Sequence, residues 1–178
     1  MKTEIPEPLA ATFVAKAPAA LNEATAQMPS SIHLKNILVP LDFSEMSFKS
    51  LQYAVPFARQ FGAKVTLLHV LNPPVCPSDF PYPGPLGQDG IAAVQTRLEE
   101  IRAAKIPATL PTSIIVRQGF AFDGILEVAR EICADLIITT THGRTGLSHL
   151  LMGSTAENIV RHAPCPVFVV REREHDFV

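Results

Sequence analysis

Lys64 to Leu71 reads KVTLLHVL, a run that is apolar on both faces of an extended chain. Such a strand has to be covered from both sides, the signature of a parallel sheet between two helical layers. Shorter apolar runs stand at Ile37–Val39, Thr112–Val116, Leu136–Thr139 and Val167–Val170. Segments of helical period separate them. The first follows Ser44 and carries Phe48, Leu51, Tyr53, Ala54, Val55 and Phe57; the second is Ile91–Lys105, with Ile91, Val94, Leu98 and Ile101 on one face. Phe120–Ala134 and Thr155–His162 supply two more. Strand and helix alternate through the whole order, which predicts an α/β, doubly wound, Rossmann-like parallel sheet with right-handed crossovers. Ser44 is the expected N-cap of the first helix and Gly62 its C-cap. Pro56, in the middle of that helix, is expected to kink it or to remove one hydrogen bond.

In an open parallel sheet, ligands sit beyond the carboxyl ends of the strands, where the strand order reverses. The residues at those ends are Pro40, Leu41 and Asp42, then Val70 and Leu71, then Thr139 onward. The last of these is the richest. After the apolar run come Gly143, Gly146 and Gly153, then Ser154, Thr155 and a helical pattern. Glycine lets backbone approach an anion, and the unpaired N–H groups of a helix's first turn face it, so strand, glycine loop and helix start predict a phosphate site. Neither the Walker spacing nor the G-x-G-x-x-G fingerprint is present, which leaves nucleotide binding of another kind.

Each polar residue near that site has two readings. Asp42 either accepts hydrogen bonds from ribose hydroxyls, or holds a metal beside phosphates, or simply opens an Asp-x-Ser turn before Ser44. Arg144 either neutralises phosphate charge or is a solvated loop cation, and His142 flanks the same glycine. His149 lies among leucines and is read as packing or capping. Ser154 and Thr155 offer hydroxyls at a helix start, where N-capping and anion binding use the same donors. No G-x-S-x-G elbow, paired catalytic carboxylates or Cys-His signature is present, so catalysis finds little support.

Composition narrows the partners. A net charge of −2 with no block of Lys or Arg argues against nucleic acid or an anionic membrane surface. No apolar run approaches a bilayer span. Cys76, Cys133 and Cys165 form no C-x-x-C pair, which suggests reduced thiols and a cytoplasmic setting, and the six histidines are too scattered to predict a metal site. The domain at 32–173 carries one insertion and is flanked by two further segments. Residues 1–31 form an Ala- and Pro-rich arm, expected to be flexible or a short partner-packing helix. Asn72–Asp89 holds six prolines and is expected to be a loop throughout, either an irregular excursion or a lid; 174–178 is a tail.

Four stretches, ILVPLDFSE, VTLLHVLNP, ADLIITTTHGRTGL and LLMGSTAENIVRHAPCPVFVV, resemble the universal stress proteins over about Lys35 to Glu172. The resemblance implies a five-stranded parallel sheet in the order 3-2-1-4-5, of the adenine nucleotide alpha hydrolase-like type. It also implies a homodimer pairing through Val167 to Arg171 and a regulatory protein that binds ATP, with or without Mg or Mn. ATP-binding members carry G-x2-G-x9-G-[ST]; here Gly143, Gly153 and Ser154 match and Thr140 replaces the first glycine. By the same transfer Asp42 looks like the ribose or adenine-side carboxylate, and Pro40 and Leu41 supply backbone near the base. Val70 packs on adenine, while Thr139, His142, Gly143, Gly153, Ser154 and Thr155 line the phosphate side; Thr140 and Arg144 complete the expected nucleotide-binding set. The alternative that Thr140 raises is a member without nucleotide binding, working by dimerisation and protein contacts.

Overall fold

The computed structural model describes residues 31–73, 87–141 and 153–171. The expectations on the arm, on residues 74–86, on His142, Gly143 and Arg144, and on the tail lie outside them. The chain parts into two units after Ile32, and the architecture below is that of the second.

Five parallel strands form one sheet in the order β3-β2-β1-β4-β5. They are β1 (Asn36–Pro40), β2 (Lys64–Leu71), β3 (Thr112–Gln118), β4 (Leu136–Thr140) and β5 (Val167–Val170). The helices are α1 (Glu45–Phe61), α2 (Gln88–Lys105), α3 (Ala121–Glu131) and α4 (Ser154–His162). The parallel sheet is as the sequence pattern predicts, and its order as the resemblance implies.

The two-residue period of a strand divides the core into two layers. Ile37 and Val39 of β1, with Val65 and Leu67 of β2, pack with Leu51 and Ala54 of α1 and Leu98 of α2. Leu38 and Leu68 point the other way, among Ile125 and Val128 of α3 and Ile159 of α4. Thus α1 and α2 cover one face and α3 and α4 the other. Each fully buried leucine or isoleucine in these layers is worth about 1.5–3 kcal/mol. The chain crosses from one edge half of the sheet to the other between β3 and β4, so β1 and β4 flank the reversal point.

Ser44 caps α1 as expected, its side chain accepting from the Ser47 N–H, and Gly62 ends the helix in the left-handed conformation at φ 67°. The helix runs on through Pro56, which is exposed, so the missing N–H falls on the solvent side. Most element ends shift by one to three residues, and the loop expected through Asp89 ends earlier. Gln88 and Asp89 belong to α2, because Gly87 in extended geometry starts the helix and the acidic Asp89 suits its first turn. At the opposite end of the sheet, Asp135 Oδ2 accepts from the Lys35 and Asn36 N–H groups at 2.7 and 2.9 Å, tying the start of β1 to that of β4.

Candidate functional site

Beyond the carboxyl ends of β1, β2 and β4 lies a cleft of about 400 Å³. Pro40, Leu41 and Asp42 form the β1 side and Val70 the β2 side. Thr139 and Thr140 line it from β4, and Gly153, Ser154 and Thr155 close it from the start of α4. The residues nominated from sequence are therefore brought together, His142, Gly143 and Arg144 lying outside the described residues.

Asp42 realises its turn reading. Its Oδ1 accepts from the Ser44 N–H at 3.0 Å and from the Ser44 hydroxyl at 2.6 Å. It also lines the cleft, so the turn fixes a carboxylate at the site rather than competing with that role. Between Asp42 and Ser44, Phe43 takes φ +66°. That conformation costs a non-glycine residue about 1–2 kcal/mol. The ring offsets it by stacking on His69 at 4.2 Å and lying under the Arg97 guanidinium at 4.3 Å. Such contacts supply about 0.5–1.5 and 0.5–1 kcal/mol, so the turn holds.

On the α4 side of the cleft the capping reading of Ser154 fails. Gly153 is the N-cap of α4, and no side chain caps the helix. Ser154 and Thr155 occupy the first turn, exposed and lining the cleft, so the positive end of α4 opens onto it. Gly153 is needed for a different reason from a left-handed turn. Its N–H donates to the Thr141 carbonyl at 2.9 Å, and a Cβ there would meet that same oxygen at 3.0 Å. The Thr141 N–H in turn donates to the Val170 carbonyl, which locks the end of β4 beneath the helix start.

Sequence reasoning missed part of the wall. His69 is buried in the cleft with Nδ1 hydrogen-bonded to the Leu41 carbonyl at 2.6 Å. A lone imidazole near the carboxyl end of an apolar strand was the available signal. Ala121 and Ile125 bring α3 to the cleft, and the Asn72 side chain ties it there by accepting from the Ala121 N–H. The signal for that close approach was Gly124, a glycine inside a helical pattern, whose missing side chain makes room for Val70.

Residues 33–171 match the universal stress protein family. The chain belongs to that family. Universal stress protein MJ0531 of Methanocaldococcus jannaschii is 32% identical over 149 residues, covering 78% of this chain and 82% of its own. Among solved universal stress protein structures, UspA from Lactobacillus plantarum superposes with a TM-score of 0.63 at 25% identity, covering 79% of this chain and all of that one. MJ0577, a universal stress protein of the same Methanocaldococcus, gives 0.64 at 24% identity over 81% of this chain and all of that one, a likeness of fold. Among the described residues of this universal stress protein, no helix is long and apolar enough to cross a membrane. No group of three or more His, Cys, Asp or Glu that could hold a metal occurs among them either.

Proposed function

We propose that this universal stress protein binds an adenine nucleotide, ATP foremost, in the cleft between β1 and β4 and acts as a cytoplasmic regulatory dimer. One observation carries the reading: the uncapped first turn of α4 opens on one side of the cleft, and the fixed Asp42 carboxylate stands on another. A ligand with an anionic end and a hydroxylated sugar satisfies both, the phosphates on the helix start and the ribose hydroxyls on the carboxylate. Val70 and Ile125 offer an apolar surface for a base. Mg or Mn would arrive with the phosphates, since the described residues present no cluster of ligands for a resident ion. Relatives support the class of ligand. One neighbour was solved as a universal stress protein in complex with cAMP, and one from Arabidopsis thaliana with AMP bound. The dimer would form along β5, the edge strand next to β4 in the sheet.

Thr140 favours a second reading. It is buried in the cleft wall at the position of the first motif glycine and narrows the room for phosphate. A protein that signals by dimerisation alone would tolerate it. Calorimetric titration of nucleotide-free protein with ATP and Mg²⁺ separates the two: saturable heat supports nucleotide binding, and silence at millimolar ATP leaves the dimerisation reading.

A further inference from the structure

The left-handed residue at the tip of β1 is an aromatic one, and an aromatic side chain gives no local reason for that conformation. Asn or Asp adopts it by hydrogen-bonding its own backbone; phenylalanine cannot. At Phe43 the reason comes from other elements. His69 of β2 stacks on the ring at 4.2 Å with 23° between planes, and the Arg97 guanidinium of α2 lies over it at 4.3 Å from the centroid. Two groups that close to one centroid exclude each other from a single face, so they take opposite faces and clamp the ring. The His69 imidazole is itself held through Nδ1 to the Leu41 carbonyl, and the Leu41 N–H donates to the Leu68 carbonyl. The peptides on either side of Leu41 are thereby fixed, leading into the turn in which Asp42 Oδ1 meets the Ser44 N–H and hydroxyl.

We propose that Phe43 is a positioning residue for Asp42: clamped between His69 and Arg97, it holds the turn that aims the Asp42 carboxylate into the cleft. Its effect on ligand rests on the proposed nucleotide binding, and falls on recognition of ribose hydroxyls rather than of base or phosphate.

The test compares Phe43→Gly, which frees the turn of strain but removes the ring, with Phe43→Tyr, which keeps the ring. Each is titrated with ATP and with 2′,3′-dideoxy-ATP, which lacks both ribose hydroxyls. The wild-type protein and Phe43→Tyr should prefer ATP. Phe43→Gly should lose most of that preference while holding its affinity for the dideoxy analogue. A purely structural role would weaken both ligands together or neither, and an unchanged preference in Phe43→Gly overturns the proposal. Arg97→Ala, exposed on α2, opens one face of the clamp and should lower the preference about twofold to fivefold even if Phe43→Gly fails to fold. Should wild-type protein bind no adenine nucleotide, the nucleotide reading fails and crystal structures decide the clamp. The 3.0 Å contact from the Ser44 N–H to Asp42, retained in Phe43→Gly, refutes it; lost there and kept in Phe43→Tyr, it upholds it.

Discussion

Gly124 of α3 sits against Val70 of β2 with no space for a side chain: a Cβ on Gly124 would fall 3.0 Å from Val70 Cγ2 and 3.1 Å from Cγ1. This contact sets how near α3 lies to the sheet, and therefore places Ala121 and Ile125 in the cleft wall. It also fixes Val70, the residue on which a base would rest.

Gly124→Ala pits two effects against each other. A helix interior gains about 1 kcal/mol from the exchange. Pushing on both methyls of Val70 at once costs about 1–3 kcal/mol, because no rotamer of a β-branched side chain clears both contacts. The variant should be destabilised by up to about 2 kcal/mol in urea unfolding, and should bind ATP more weakly than wild type. A stabilised variant with unchanged affinity would mean that Val70 yields freely.

Gly153→Ala meets a backbone neighbour. Its Cβ would stand 3.0 Å from the Thr141 carbonyl, and the N–H of that same residue is held by the Val170 carbonyl of β5. Relief comes by a shift between Thr141 and the first turn of α4, the proposed phosphate cradle. We expect ATP affinity to fall at least tenfold, measured by calorimetry, with a stability loss of about 1–3 kcal/mol. A branched residue, Gly153→Val, should abolish binding; retained affinity would misplace the phosphates.

Much of this was readable from sequence, for a physical reason. Apolar runs such as KVTLLHVL report burial on both faces, and the alternation of period then leaves one sheet type. The carboxyl-end rule placed Asp42, Val70 and Thr139 together without coordinates. What stayed hidden depends on distance rather than pattern. Whether Ser154 or Gly153 caps α4 turns on one residue of helix register, and both are acceptable caps. The Phe43 clamp joins three elements far apart in sequence, and no periodicity announces it. The start of α2 was missed because the prolines before it mask the Gly87 entry.

Thr140 is the departure that invites reversal. It lies in β4 opposite Val170, buried in the cleft wall. Thr140→Gly weakens a strand by about 0.5–1 kcal/mol through backbone entropy, while widening the path for phosphate. The expected outcome is a lower melting temperature with tighter ATP binding. Equal affinity in wild type and variant would show that the threonine is no obstacle.

The two described cysteines should differ sharply toward thiol reagents. Cys133 is exposed at the end of α3, whereas Cys165 is half-buried before β5. Burial pushes the Cys165 thiol above its ordinary range, the Asp135 carboxylate pushes the same way, and a hydrogen bond with the Ile137 backbone opposes them. The folded protein therefore holds this proton more tightly than the unfolded chain. The stabilisation that this gives is complete at neutral pH and is lost as pH rises through the raised ionisation. At pH 7, a single-cysteine protein retaining Cys165 should react with iodoacetamide more slowly than one retaining Cys133, with its rate climbing only well into the alkaline range. Asp135→Asn removes the charge yet keeps an oxygen for the Lys35 and Asn36 N–H groups. It should move the Cys165 profile part of the way to lower pH, since burial, the larger cause, remains. A profile that does not move would mean that burial alone raises this thiol.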